Sequence, residues 1–282
     1  MTIRFVADST VDLPDEMIEK EAIEIVPLYI NIGETSFLDK VEMTRANFYE
    51  NLAGFPYHPT TATPGIDSFI NAYQRQIDKG ASAIMSFHIS KALSNTVDIA
   101  RLAAEKISKV PVYVIDSKNL SMGTGLLLRL ASEMAQSGEK VEEVMKAITD
   151  AIRRTYTMAV LDTLEFLKRS GRLSSIQFGL GSLLFIKPII KMNDGVVDLE
   201  RIRTRKKALD RLIQLLEALY PFQEFAFVHT HAPEKIEQFK TIIADWIPAD
   251  KEILTGEVTP VIGAHIGPGA FGFSAITVQS GF

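Results

Sequence analysis

The chain of 282 residues contains no cysteine. Disulfides, thiolate nucleophiles, iron–sulfur clusters and cysteine-ligated zinc are excluded with it, and the composition fits a reducing cytoplasm. An excess of basic residues is also lacking. The 30 Lys and Arg stand against 35 Asp and Glu, for a formal net charge of −5, which argues against nucleic acid as the main partner. The longest apolar stretch, around Leu180 to Ile190, is broken by Lys187 and is too short to span a bilayer. The opening MTIRFVADSTVD has Arg4 inside its apolar run and stops at Asp8, so it does not read as a signal peptide. A soluble, cytoplasmic protein is expected.

Several catalytic signatures are missing as well: there is no Walker-A loop, no HExxH, no EF-hand loop and no GxSxG elbow. Gly267 to Gly272 matches GxGxxG, but a dinucleotide fold needs a helix next and an acidic residue about twenty positions on. Only ten residues follow, and they read as a strand.

What remains is an ordinary globular balance, 46% hydrophobic and 23% charged, enough to build the cores of one large or two ordinary domains. Up to about residue 155, short strands alternate with longer helices. Ile3–Asp8, Ile23–Ile32, Ala83–Ile89 and Val110–Asp116 are rich in Val, Ile, Phe and Tyr and read as buried strands. Pro14 suits a first helical position, Thr44 an N-cap, and Gly54, Gly80 and Gly138 C-caps. Such alternation implies a parallel sheet with helices on both faces. The pattern then changes. Strands are expected at Tyr156–Leu161, Phe225–Thr230, Ile253–Thr259 and Phe273–Val278, and helices at Asp162–Ser170, Arg205–Leu219 and Pro233–Trp246. Pro188–Arg203 reads as a hairpin turning on Asn193-Asp194-Gly195. The sequence therefore reads as α/β throughout: a parallel-sheet domain over residues 1–155, and a second α/β domain with a mixed, partly antiparallel sheet over 156–282.

Chemistry-bearing residues are few. Asp8 and Asp12 follow the first strand in a string that resembles a haloacid-dehalogenase-type phosphatase, where two aspartates two apart address one phosphoryl group and its metal. Here they stand four apart, and the plainer reading is a strand end capping the next helix. A metal-dependent phosphoryl-transfer or hydrolytic enzyme using this pair is the alternative function. Of the five histidines, only His229 and His231 are close in sequence, and a metal would need a third ligand from elsewhere.

The informative pattern is where hydroxyls fall. Ser9 and Thr10, then Ser90, Ser94 and Thr96, then Ser117 and Ser121 follow three of the expected strands. Thr60, Thr61 and Thr63 precede the helix expected at Ile66–Lys79. The carboxyl ends of strands line the ligand crevice of an open parallel sheet, and helix N-termini there suit an anion. One such residue is usually just an N-cap; four clusters along one rim point to an anion site.

These segments resemble the DegV family of bacterial lipid-binding proteins, in order and over essentially the whole chain. The matching strings are VADSTVDLP, TTATP at Thr60–Pro64, ISKALSNT at Ile89–Thr96, DSKNLSMGTG from Asp116 and LEFLKRSGRLS from Leu164. KPII from Lys187, RIRTRKKAL from Arg201 and HIGPGAFG from His265 complete them. The resemblance implies a long-chain fatty acid such as palmitate, its tail buried and its carboxylate near the junction of two α/β domains, with no cofactor. It also implies a non-catalytic role, as the lipid-binding subunit that presents the carboxylate to a separate fatty acid kinase. By the same resemblance Thr61 and Ser94 would donate hydrogen bonds to the carboxylate, and Arg172 and His265 would organise the head-group end. Arg201, Arg203 and Arg205, with Lys206 and Lys207, would dock the kinase or touch an anionic membrane surface. The chain departs from the family's usual pattern in having Ala62 and Thr63 after its paired threonines and Asn95 after Ser94. Phe178–Ile190 and Phe271–Ile276 are apolar enough to contribute to a cavity, although core packing is the ordinary use of such residues.

Overall fold

The structure, a computed structural model, describes residues 2–172, 186–247 and 252–278. The strands β1 (Ile3–Asp8), β2 (Glu24–Val26), β6 (Ala83–His88) and β7 (Val112–Asp116) form a sheet in the order β2-β1-β6-β7, parallel throughout. A small antiparallel sheet, β4-β3-β5, is made by β3 (Tyr29–Ile32), β4 (Thr35–Leu38) and β5 (Thr60–Ala62). The third sheet contains β8 (Thr155–Val160), β9 (Ile189–Asn193), β10 (Val196–Glu200), β11 (Phe222–His229), β12 (Leu254–Glu257) and β13 (Phe271–Thr277). Its order is β10-β9-β8-β13-β11-β12, and only β11 and β12 run parallel. The α/β class and the parallel-then-mixed arrangement match the expectation from sequence.

Alternation along the strands decides how these sheets stack. In β1, Val6 packs with Phe69, Ala72 and Tyr73 of α3 (Ile66–Asp78) and Ala100 and Ala103 of α4 (Thr96–Ala104). Its neighbours Phe5 and Ala7 face the other way, into a core shared with Leu126, Leu127 and Leu128 of α5 (Met122–Gln136) and Val144 and Ile148 of α6 (Val141–Arg153). The same core continues into Ala159, Ala226 and Ile276 of the six-stranded sheet. Helix α5 is thus a central layer covered on both sides. On the outer face, Met158, Phe225, Phe227 and Phe273 meet Leu212 and Leu216 of α8 (Arg205–Leu219) and Phe239 of α9 (Pro233–Ile242). Both faces of each large sheet are covered by helices, which is why their strands are near-continuous apolar runs.

The hairpin turn is formed as its residues require. Asp194 and Gly195 have φ of 45° and 81°, the left-handed pair of a type I′ turn. Its tip is tied to the loop after β7: the Gly195 amide donates to the Lys118 carbonyl at 2.8 Å, and Lys118 Nζ meets Asp194 at 2.7 Å.

Four sequence expectations are corrected. The single strand expected over Ile23–Ile32 is two, because Pro27 has no N–H to continue a ladder; β2 joins the parallel sheet and β3 turns away to pair with β4 and β5. Pro14 stands just before α1 (Asp15–Lys20) rather than inside it. Gly54 ends a single 3₁₀ turn over Leu52–Gly54 without a positive φ, whereas Gly80 and Gly138 adopt the left-handed conformation expected of them. The helix expected over Pro233–Trp246 stops at Ile242, and a separate 3₁₀ turn covers Ala244–Trp246. Three elements were not foreseen: β4, β5 and α10 (Pro260–Ile266). Every residue of α10 except His265 is buried, so it lacks the polar face that would make it legible as a helix.

Candidate ligand site

A cavity of about 560 Å³ lies where loops at the carboxyl ends of β6 and β7 meet the six-stranded sheet, β5 and α10. Its volume is within the ordinary range for a small-molecule site. Most of the described lining is apolar, including Leu28, Ile89, Ala159, Ile190, Met192, Val228, Ile262 and Ile266. Thr61, Ser94, Arg172 and His265 also line it. Residues far apart in the chain are therefore brought to one surface.

Thr61 lies in β5, paired with Ile30 of β3, so it is not the helix cap that its position before α3 suggested. The N-cap of α3 is Gly65, which offers no side-chain bond. Thr61 Oγ1 and His265 Nε2 are 3.0 Å apart across 204 residues of sequence. The other ring nitrogen of His265, Nδ1, is buried with no partner among the described residues. A neutral imidazole carries one N–H. If that proton sat on Nδ1 it would be an orphaned buried donor, the rarer and costlier arrangement. The hydrogen-bond count therefore assigns it to Nε2, donating to Thr61. The Thr61 hydroxyl proton is then free to point at a ligand.

The ring is held neutral. Burial, the Arg172 guanidinium and His58 together pull the His265 pKa down to about 4. Because the folded value lies below the ordinary 6.5, the unfolded chain binds the extra proton between these limits. Stability from this group is complete above pH 6.5 and is lost as pH falls towards 4. Asp12 and Asp39 act in the opposite sense: burial raises them to about 6 and about 7, so the folded state is favoured as they protonate. The two effects partly cancel in the native chain. In His265→Gln the first is gone, so moving from pH 6.5 to 4.5 should cost the variant less stability than the native protein. Urea unfolding at both pH values checks this; an equal loss in both proteins would contradict the assignment.

Ser94 is half-buried in the loop before α4, its hydroxyl 2.8 Å from Thr96 Oγ1. With Asn95, the N-cap of α4, it brings the positive end of a nine-residue helix to the cavity wall. Arg172 donates from Nη1 to the Ser170 carbonyl at 3.0 Å and is among the residues that line the cavity. The basic run is elsewhere. Arg201, Arg203, Arg205, Lys206 and Lys207 are exposed, before and within the first turn of α8 on the outer face of the six-stranded sheet.

The hydroxyls of the remaining clusters make internal bonds, although Ser121 also lines the cavity. Ser9 Oγ donates to Asp39, Thr10 binds Asp8, and Ser117 and Thr124 share a bond of 2.8 Å, all of them buried. The Asp8 carboxylate accepts from the Thr10 and Ile89 amides, with His88 at 3.2 Å. Asp12 is taken up by Thr259, Ser121 and Arg45. The two carboxylates thus serve separate internal networks rather than one open site, and no group of three potential metal ligands occurs among the described residues. Of the apolar segments, Ile190 and Phe271 line the cavity while Phe273 and Ala275 belong to the outer core. Most of the stretch before Ile190 lies outside the described residues. Gly267 to Gly272 leads from α10 into β13, a strand and not a dinucleotide-binding helix.

The DegV family model matches residues 2–278. The chain belongs to the DegV family. It is 34% identical over 276 residues to a DegV domain-containing protein of Listeria innocua, covering 96% of this chain and 97% of that one. Its fold superposes on a DegV family protein of Thermus thermophilus solved for its fatty acid binding, with a TM-score of 0.89 and 31% identity. That match covers 99% of this chain and all of the other. DegV of Bacillus subtilis, also solved as a fatty acid binding protein, superposes with a TM-score of 0.87 and 30% identity, covering 98% and 100%. Fatty acid binding is thus a property of these two solved DegV family proteins, and this chain shares their fold.

Proposed function

We propose that this protein holds a long-chain fatty acid in the cavity, tail against the apolar wall and carboxylate at Thr61 and Ser94, and presents that carboxylate to a separate fatty acid kinase without itself catalysing a reaction. The observation that carries the reading is the Thr61–His265 pair, 3.0 Å apart on the wall of a mostly apolar cavity. The solved relatives that bind fatty acids support it.

The energetics fit the division of labour. The fourteen methylenes of a sixteen-carbon acid give about 11 kcal/mol gross on burial, at about 0.8 each. Association and ordering cost about 4 kcal/mol or more of this. The tail therefore sets affinity. Hydroxyl donors to a charged acceptor add about 1.5–3 kcal/mol each and mainly orient the head. Unlike a bidentate guanidinium clamp, they leave one carboxylate oxygen open to an incoming phosphoryl group. Arg172 and the neutral His265 complete the head-group end. On this reading residues 1–155 supply the carboxylate-binding hydroxyls and 156–282 close the cavity.

Kinase docking is assigned to Arg201, Arg203 and Arg205, with Lys206 and Lys207 beside them. Three cations in the first turn of α8 oppose the helix dipole, a placement better explained by an acidic partner or anionic headgroups than by fold stability. Reversing Arg203 and Arg205 to Glu should leave palmitate binding within about twofold, because the run lies on the far side of the sheet from the cavity, and lower kinase-dependent acyl phosphate formation at least tenfold at low salt. Assays of binding and of phosphorylation with a DegV-partner kinase check this; parallel loss of both, or of neither, would count against docking here.

A further inference from the structure

Asp12 is 1% exposed in the turn after β1, and three elements share its carboxylate. Oδ1 accepts the Thr259 amide at 2.9 Å and lies 3.6 Å from Arg45 Nη2 of α2 (Arg45–Asn51), while Oδ2 accepts the Ser121 hydroxyl. Thr259 is the N-cap of α10, and Ser121 the residue before α5. The Thr259 side chain makes no cap bond, and its hydroxyl is buried without a partner among the described residues. The end of α10 is therefore held by a carboxylate 247 positions away in sequence rather than by its own cap.

Helix α10 has seven residues, too few to be stable or fixed in place by itself. Its position is set from outside. Besides Asp12, Tyr49 of α2 donates to the Val258 carbonyl at 2.9 Å, and a Cβ at Gly263 would collide with the Tyr49 hydroxyl, so the ring lies flush on the helix. From that seat α10 puts Ile262 and His265 into the cavity wall. The charge of Asp12 is compensated by cations, Arg45 at 3.6 Å and the largely buried Lys40 whose charge also reaches it.

We propose that Asp12 is a positioning residue for the ligand site: its carboxylate joins the amino ends of α10 and α5 and, through α10, places His265 against Thr61. The inference takes the identity of the ligand from the proposed function, but the placement of His265 is testable without any ligand.

Thr259→Pro tests the joint from the far side. The native φ of −62° is proline's own and ψ of 154° suits a residue already followed by Pro260. The substitution removes the amide donor and a hydroxyl that has nothing to lose. Asp12→Ala removes the acceptor, and Asp12→Asn keeps an acceptor for Thr259 and a donor for Ser121 without the charge. Two readouts are needed: the imidazole nitrogen and proton resonances of His265 in ligand-free protein, and the release rate of palmitate. Thr259→Pro and Asp12→Ala should shift the His265 resonances and speed release roughly tenfold, while Asp12→Asn stays within about twofold of the native rate. The proposal is overturned if Thr259→Pro leaves His265 unshifted, or if Asp12→Asn is as impaired as Asp12→Ala. Should Asp12→Ala fail to fold, Thr259→Pro and Asp12→Asn decide alone. A native protein that rejects palmitate would refute the lipid reading, yet the imidazole resonances would still judge Asp12.

Discussion

Replacing Thr61 and Ser94 together by alanine is expected to weaken palmitate binding about 100-fold, read by fluorescent fatty acid displacement or calorimetry. Two hydroxyl donors to a carboxylate are worth about 3 kcal/mol together even at the low end of their range, and about 1.4 kcal/mol corresponds to tenfold. The single variants should each cost about tenfold, without strict additivity if both touch one carboxylate. Thr61→Ala has an added consequence: it leaves His265 Nε2 without its hydroxyl partner, so the imidazole resonances should move even in empty protein. The fold should survive, since both side chains are half-buried and neither belongs to a core cluster. An unchanged affinity in the double variant would remove these residues from the role.

A larger loss is expected from closing the tail's space. Val228 is buried on the cavity side of β11 and lines the site. Val228→Trp would set an indole across the tail's path, and denying burial to about five methylenes forfeits about 4 kcal/mol, or roughly 1000-fold in affinity. Because the added ring enters open space rather than a packed core, the empty protein should melt within a few degrees of the native chain instead of showing the cost of overpacking. Thermal unfolding without ligand, paired with palmitate titration, separates the two effects. Retained affinity would mean the tail does not run past Val228.

Much of this architecture is legible in the residues. The strands of the large sheets are buried on both faces, so Ile3–Asp8, Ala83–His88 and Phe271–Thr277 stand out as apolar runs, and Asn193-Asp194-Gly195 announces its turn by local conformational preference. The site was legible only in part. Ser9, Thr10 and Ser117 carry the same pattern as Thr61 and Ser94, yet their hydroxyls end in buried internal bonds. Which hydroxyl faces a cavity depends on what packs above it, and that is decided by distant chain. Thr61 acquires its orientation from His265, and Asp12 its role from Thr259. The helix carrying His265 was missed because burial on every side erases amphipathic periodicity. His58, which lowers the His265 pKa and itself keeps a buried Nε2 with no partner among the described residues, gave no sequence signal beyond being one of five histidines.

The most direct test of lipid carriage is native mass spectrometry of the protein purified from a bacterial host, followed by solvent extraction of whatever it carries. One long-chain fatty acid per chain, released by solvent and replaceable by added palmitate, is the expected result. A protein that arrives empty and refuses palmitate would contradict the account.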